Sequence, residues 1–172
     1  MQLEIDKYLI ETLISSYRDF DKICCAIDRY LLNVGSYPSC CNDSIMILYD
    51  NLIQQMIRKS KLMKVKDALL RNVKGLSFDD RQIFEALVTL KQLKKEDICF
   101  LLNIKERTLY RRIESLYKNL AELLIKSKDN QLILEVCRNE YFISAKYLLL
   151  KERRQSYTRD KAKSNIEEVA HG

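Results

Sequence analysis

Apolar residues in the first part of the chain recur in alternating steps of three and four, the spacing that places them along one side of a helix. This seam continues for about three heptads, which is typical of a helix that packs against another helix. The chain then reaches Gly35 and Pro38, which predict the end of the helix. The seam residues are Ile10, Leu13, Tyr17, Phe20, Cys24, Ile27, Leu31 and Val34.

A second long helix is predicted after this break. Asp43 or Ser44 is a suitable N-cap, because its side chain can accept a hydrogen bond from a free backbone N–H of the first turn. The apolar pattern continues to about Lys74, and Gly75 then stops the helix. Residues 1–75 are therefore predicted to form a helical hairpin. Its seam is equally suited to pairing within the chain and with a second copy, so a homodimer is one of two arrangements left open.

A different unit is predicted in residues 76–128, where the apolar pattern indicates three shorter helices. The first begins at Ser77–Asp80, which has the spacing of a capping box, and it ends near Lys91. The second is expected over Lys95–Leu102, and the third begins near Lys105. The pattern of this unit is thus distinct from that of the long hairpin before it.

The turn between the second and third of these helices is the most specific local prediction. Ile98, Leu101 and Leu102 are expected to point inward from the second helix. Asn103 then stands where the chain must turn, and asparagine is the non-glycine residue best suited to a left-handed backbone conformation. A short helix, a tight turn and a helix beginning near Lys105 together form a helix-turn-helix, whose second helix enters the major groove of DNA.

The third helix has two chemically distinct faces. At about 100° per residue its apolar residues fall within an arc of roughly 80°, which is predicted to face the core. Arg107, Arg111 and Lys118 lie on the opposite side, with Thr108 and Ser115 on one flank. Guanidinium, ammonium and hydroxyl groups on one face suit contact with nucleic acid, and they also suit a solvated helix face. The core-facing residues are Leu109, Ile113, Leu116, Leu120 and Leu123.

The remaining residues predict one more helix and a tail. Apolar residues at helical spacing continue from Gln131 to about Arg154, so residues 129–155 are expected to form a single C-terminal helix. Beyond Gln155 the composition turns polar and charged, which predicts a flexible tail over residues 156–172.

Composition favours an all-α fold and excludes several classes of protein. Among 172 residues there are three glycines and one proline, too few for the many tight turns of a sheet-rich fold. A hydrophobic fraction of 47% excludes wholesale disorder. No apolar run approaches the ~20 residues that span a bilayer, and the N-terminus is neither a secretory nor a transit peptide. We therefore expect a cytoplasmic protein with no membrane partner.

The candidate catalytic and metal-binding residues are few. Six cysteines include the adjacent pairs Cys24, Cys25 and Cys40, Cys41, whereas a zinc site needs a spaced pair such as C-x-x-C. The single histidine, His171, lies at the C-terminal end. Reduced thiols with no metal and no cofactor are therefore expected. Without a glycine-rich phosphate loop or a base beside a nucleophile, the protein is predicted not to be an enzyme.

The helix-turn-helix segment resembles a known family. Residues 93–104, LKKEDICFLLNI, are similar to the Leu-Ser-x-Glu-Glu-Ile-Ala-x-x-Leu-Gly-Ile pattern of region four of bacterial sigma factors and of LuxR-type regulators. Residues 105–113, KERTLYRRI, are similar to the Ser-Glu-Arg-Thr-Val-x-x-Arg-Leu that follows it. Lysines replace the usual caps of both helices, at Lys94, Lys95 and Lys105. A weaker similarity upstream, from Leu13 to Ile23, is to the ArpU-like phage late-transcription regulators.

The resemblance implies a tetrahelical DNA-binding unit and a transcription regulator that binds double-stranded DNA. If the chain is an alternative sigma factor, RNA polymerase is a second partner. Arg107 and Arg111 then suit base edges, since a guanidinium can bond both O6 and N7 of guanine, whereas Arg112 and Lys118 suit phosphates. The candidate DNA-binding residues are Lys105, Arg107, Thr108, Arg111, Arg112, Ser115 and Lys118.

An alternative from a different class is a helical interaction module whose helix-turn-helix binds protein rather than DNA. A protein-docking face carries exposed aromatic residues or leucine, and Tyr110 at the edge of the basic face is the one residue of that kind. The arginines and hydroxyl side chains of the same face favour DNA.

Overall fold

The computed structural model describes residues 3–36, 45–89, 94–153 and 156. Over these ranges the protein is all-α, as predicted, and contains no strand. The helices are α1 (Lys7–Ser36), α2 (Ile45–Val73), α3 (Phe78–Thr89), α4 (Lys95–Leu101), α5 (Glu106–Lys126), α6 (Asn130–Asn139) and α7 (141–153). The predictions that fall outside the described residues concern Pro38, Cys40, Cys41, Asp43, Ser44, Lys91, Leu93, Arg154, Gln155, His171 and the tail after residue 156.

The seam of α1 is buried within the chain. Ile10, Leu13 and Phe20 are fully buried, and α1 packs against α2, α3 and α5. Of the two arrangements left open by the sequence, this seam therefore adopts the internal one. The burial fades toward the end of α1, where Leu31 and Val34 are only partly buried.

The start of α1 is fixed by a side-chain cap. One carboxylate oxygen of Asp6 accepts a hydrogen bond from the backbone N–H of Leu9 at 2.8 Å, as an N-cap should. The other oxygen accepts a hydrogen bond of 3.1 Å from the hydroxyl of Tyr147 in α7. The carboxylate therefore ties the last described helix to the beginning of the first.

The hairpin and the following helices share one hydrophobic core. Buried residues of α1, α2, α3, α5, α6 and α7 belong to a single cluster, which also includes Ile98 of α4. Gly75 lies in the turn between α2 and α3, where the sequence predicted the second helix to stop. The position of α5 is therefore set by the long hairpin as well as by its own short neighbours.

The single helix predicted for residues 129–155 is wrong, because the chain breaks at Glu140 into α6 and α7. Glu140 has an extended backbone, with φ −88° and ψ 102°, and its side chain is buried. Its carboxylate accepts two hydrogen bonds from Arg58 of α2, one from Nε and one from Nη2, both at 2.7 Å. This contact comes from a residue 82 positions away, so the local pattern carries no sign of it.

The prediction for Leu101 is also wrong. Ile98 is buried and Leu102 partly buried, as expected, but Leu101 is 60% exposed. On a helix of seven residues, Ile98 and Leu102 define the inner face by their separation of four, and Leu101 lies about 100° away from Leu102. Only one side of α4 touches α5, so Leu101 is left in solvent.

Candidate nucleic-acid interface

The turn between α4 and α5 is a complete Schellman motif. The backbone N–H of Ile104 donates to the carbonyl of Cys99 at 3.0 Å, and that of Asn103 donates to Phe100 at 3.2 Å. Asn103 has φ 49° and is the one described residue other than glycine with a positive φ. The left-handed position predicted from the sequence is thus confirmed. Cys99 and Ile104, before and after the turn, each pack against the core.

The helix that follows is anchored by its apolar face. Leu109, Leu116 and Leu120 are fully buried, and Ile113 and Leu123 are partly buried against the same core. The predicted core arc of α5 is therefore confirmed. Burial of three leucine side chains contributes roughly 1.5–3 kcal/mol each, which holds the opposite face of the helix toward solvent.

Two polar contacts join α3 to one flank of α5. The buried carboxylate of Asp80 accepts a hydrogen bond of 2.9 Å from the side-chain amide of Asn119. Arg112 forms an ion pair of 3.1 Å with Asp79, and both side chains remain partly exposed. These contacts fix the rotation of α5 about its own axis, because they join two points on one flank that are seven residues apart. That rotation decides which residues reach solvent.

The structure brings four of the predicted residues together on the outer face of α5. Arg107, Arg111, Ser115 and Lys118 are all exposed there. No described residue forms an ion pair or hydrogen bond with either arginine or with Lys118. Three cationic groups thus face outward without a partner among the described residues, beside the Ser115 hydroxyl, which accepts a hydrogen bond of 3.4 Å from the Asn119 amide.

The other three predicted residues lie elsewhere. Lys105 is exposed at the N-cap of α5, where its side chain makes no capping hydrogen bond. Thr108 is half-buried, and Arg112 is turned toward α3 by its ion pair with Asp79. An exposed ion pair contributes only about 0–1 kcal/mol, so the Arg112 guanidinium can exchange its carboxylate for another anion at little cost.

Lys7, which the sequence analysis did not single out, lies beside this face. Its Nζ forms an ion pair of 3.1 Å with Glu114 of α5. Lys7, Arg111, Glu114, Ser115 and four further α5 residues line an open groove of about 500 Å³ between the start of α1 and the outer face of α5. The two elements are 107 residues apart in the chain, so no local pattern could have shown this proximity.

Tyr110 occupies the boundary between α4 and the outer face. Lys95 Nζ donates a hydrogen bond of 2.8 Å to the Tyr110 hydroxyl and lies 4.2 Å from the centre of its ring. The phenol is therefore held against α4. This contact accounts for the position of the Tyr110 ring at the edge of the outer face of α5.

The described residues offer little for catalysis or metal binding. No group of three His, Cys, Asp or Glu side chains among them is placed to hold a metal ion, and the described cysteines are unpaired with one another. Burial raises the pKa of the Cys137 thiol to about 12, and it also raises the pKa of Cys24. Both thiols are thus made less acidic, which is the opposite of what a nucleophile requires.

Comparisons with known proteins give no relative for this chain. No family model matches it, and neither a curated protein nor a solved structure shows significant similarity. In the part of the chain that the structure describes, no helix combines the length and the apolar character needed to cross a bilayer.

Proposed function

We propose that the protein is a sequence-specific DNA-binding transcription regulator, with α5 as its recognition helix. The observation that carries this proposal is the pair Arg107 and Arg111, one turn apart on the outer face of α5. Both guanidiniums are exposed and lack a partner among the described residues. The dimensions also suit the role, because a helix about 10–12 Å across fits a major groove of about 12 Å.

The outer residues divide by their expected contacts. Arg107 and Arg111 lie in the first turns of α5, the end of a recognition helix that reaches base edges. A bidentate arginine–guanine contact contributes about 1–3 kcal/mol of discrimination between bases. Lys118, farther along the helix, and Lys7, on its flank, suit phosphates, which position the protein without specifying sequence. In this role Lys7 gives up its exposed ion pair with Glu114 at little cost.

The proposal implies a setting and a further partner. A transcription regulator without catalytic chemistry acts in the cytoplasm beside DNA, and the sigma-factor version of the proposal adds RNA polymerase as a direct partner. Co-purification of polymerase subunits with the tagged protein from its native host tests that version separately from DNA binding.

A second candidate function has one observation in its favour. At the end of α4, Phe100 is 89% exposed and Leu101 is 60% exposed, and two adjacent apolar side chains of this size suit a protein partner. In this version the helix-turn-helix binds protein through α4 rather than DNA through α5. If this version holds, substitution of both residues by serine abolishes binding of the protein partner and leaves any affinity for DNA unchanged.

Selection from random duplex DNA tests the main proposal. The wild-type chain should enrich a defined sequence, and Arg111→Ala should relax the preference at one or two positions, with a loss of roughly 5- to 150-fold on the selected duplex. Lys118→Ala should weaken all duplexes alike and reduce the salt slope by about one unit. The matched control is Arg29→Ala, which removes the same guanidinium from an exposed position of α1 about 33 Å along the helix from Lys7. Equal motifs and affinities for Arg111→Ala and Arg29→Ala contradict the proposed role of α5.

A further inference from the structure

The first half of α2 is apolar on two sides, yet none of its described side chains from Met46 to Ser60 is buried. One side faces α1, where Leu48 and Leu52 are partly covered. The other side is open, with Met46 73% exposed and Ile53 50% exposed. A helix that is apolar around most of its circumference is normally covered on more than one side.

The open side carries a regular seam of its own. Positions 46, 49, 53, 56, 60, 63, 67 and 70 alternate in steps of three and four, the spacing of the a and d positions of a coiled coil. The seam is apolar except at Ser60 and Asp67, and it extends over more than three heptads, or about 36 Å. Seams of this length are sufficient to sustain helix pairing. We define the outer seam of α2 as Met46, Tyr49, Ile53, Met56, Ser60, Met63, Asp67 and Leu70.

The described part of the chain does not cover the outer seam. α1 lies on the side marked by the ion pairs of Lys59 with Asp28 and of Lys66 with Asp21. α6 and the break after it lie on another side of α2. There Lys61 forms an ion pair with Glu135, and Arg58 forms one with Glu140. Every described residue of the outer seam is exposed, including Met63 and Leu70 near the core end.

We propose that the outer seam binds the same seam of a second copy of this chain, with the two α2 helices antiparallel. An antiparallel pair centred near residue 58 sets Tyr49 opposite Asp67 of the other copy, so that its hydroxyl can donate to the carboxylate. It also sets Asp50 near Lys64 of the other copy. Neither Asp50 nor Lys64 has an ion pair with another described residue, so both are available for this contact.

The parallel alternative is disfavoured by charge. In a parallel pair in register, Asp67 meets its own copy across the seam. Like charges at a helix interface are destabilising. The antiparallel arrangement instead sets Asp67 against the Tyr49 hydroxyl and Asp50 near Lys64. Because it involves α2 alone, the dimer stands independently of whether α5 binds DNA.

Sedimentation velocity of the full chain, without DNA, tests the proposal. The wild type should sediment as a dimer that dissociates on dilution. Ile53→Asp should raise the dissociation constant by at least about a hundredfold, because the dimer would bury two unpartnered carboxylates. Asn51→Asp is the matched control, since it adds the same charge at an exposed position on the opposite side of α2 and should leave the dimer intact. Circular dichroism should show equal helicity for all three proteins.

The orientation is tested by charge reversal. Asp50→Lys should weaken the dimer about threefold to tenfold, and the double variant Asp50→Lys with Lys64→Asp should restore it, because opposite charges again face each other only in the antiparallel pair. A wild type that remains monomeric at every concentration overturns the proposal, as does an Ile53→Asp dimer as tight as the wild type. A double variant no tighter than Asp50→Lys overturns the antiparallel arrangement.

Discussion

Substitutions at Asn103 isolate the backbone conformation on which the helix-turn-helix depends. The residue is exposed, has φ 49°, and its side chain makes no hydrogen bond to another described residue. A new side chain at this position therefore changes the left-handed conformation and little else. Alanine has a Cβ but no polar group to interact with the local backbone, so Asn103→Ala should lower the free energy of unfolding by about 1 kcal/mol. Asn103→Gly should stay within about 0.5 kcal/mol of the wild type, because relief of strain offsets the extra freedom of the unfolded chain.

Urea denaturation followed by far-UV circular dichroism measures both changes, and a loss of 1 kcal/mol corresponds to about 2–4 °C in Tm for a chain of this size. The control position is Gln82, which is exposed in the middle of the regular helix α3. There the order should reverse, with glycine less stable than alanine by about 0.5–1 kcal/mol. If alanine is as stable as glycine at Asn103, the left-handed turn is not the conformation that the chain adopts in solution.

Two further predictions concern the break between α6 and α7 and the buried thiols. Arg58→Ala should cost more stability than Glu140→Gln, about 3 against 1–2 kcal/mol, because the Glu140 carboxylate is 7% exposed and cannot be rehydrated, whereas the Arg58 side chain is 42% exposed. Equal losses in urea titrations would contradict this asymmetry. Because burial raises the pKa of Cys137 to about 12, iodoacetamide at mildly alkaline pH should alkylate Cys137 only as fast as the protein unfolds, while exposed Cys25 reacts at once. Mass spectrometry of digested samples follows the two sites separately.

The parts of the fold that the sequence predicted correctly depend on local physics. The left-handed residue at Asn103 follows from a polar side chain placed directly after the apolar residues that end a short helix. The buried face of α5 follows from helical spacing alone, since one helix of 21 residues contains the whole pattern. Arg107 and Arg111 lie on the opposite side of the helix from that face, so their outward direction follows from the same spacing.

The parts that the sequence did not predict depend on distant residues. The break at Glu140 is stabilised by Arg58, and a continuous apolar pattern on both sides conceals it. Lys7 lies beside Glu114 because α1 packs against α5. The periodicity of either helix alone does not predict which other helix it contacts. The exposure of Leu101 follows from how little of α4 is covered, which depends on the arrangement of the neighbouring helices.

Amide chemical-shift mapping with a selected duplex tests the central claim most directly. Titration of the labelled full chain should perturb the backbone amides of Glu106–Lys118 and of Lys7, with the largest changes near Arg107 and Arg111. Amides on the open side of α2 should stay unchanged, which separates DNA contact from self-association. Perturbations confined to Phe100 and Leu101, or spread evenly over the surface, would contradict the assignment of α5 as the helix that recognises DNA.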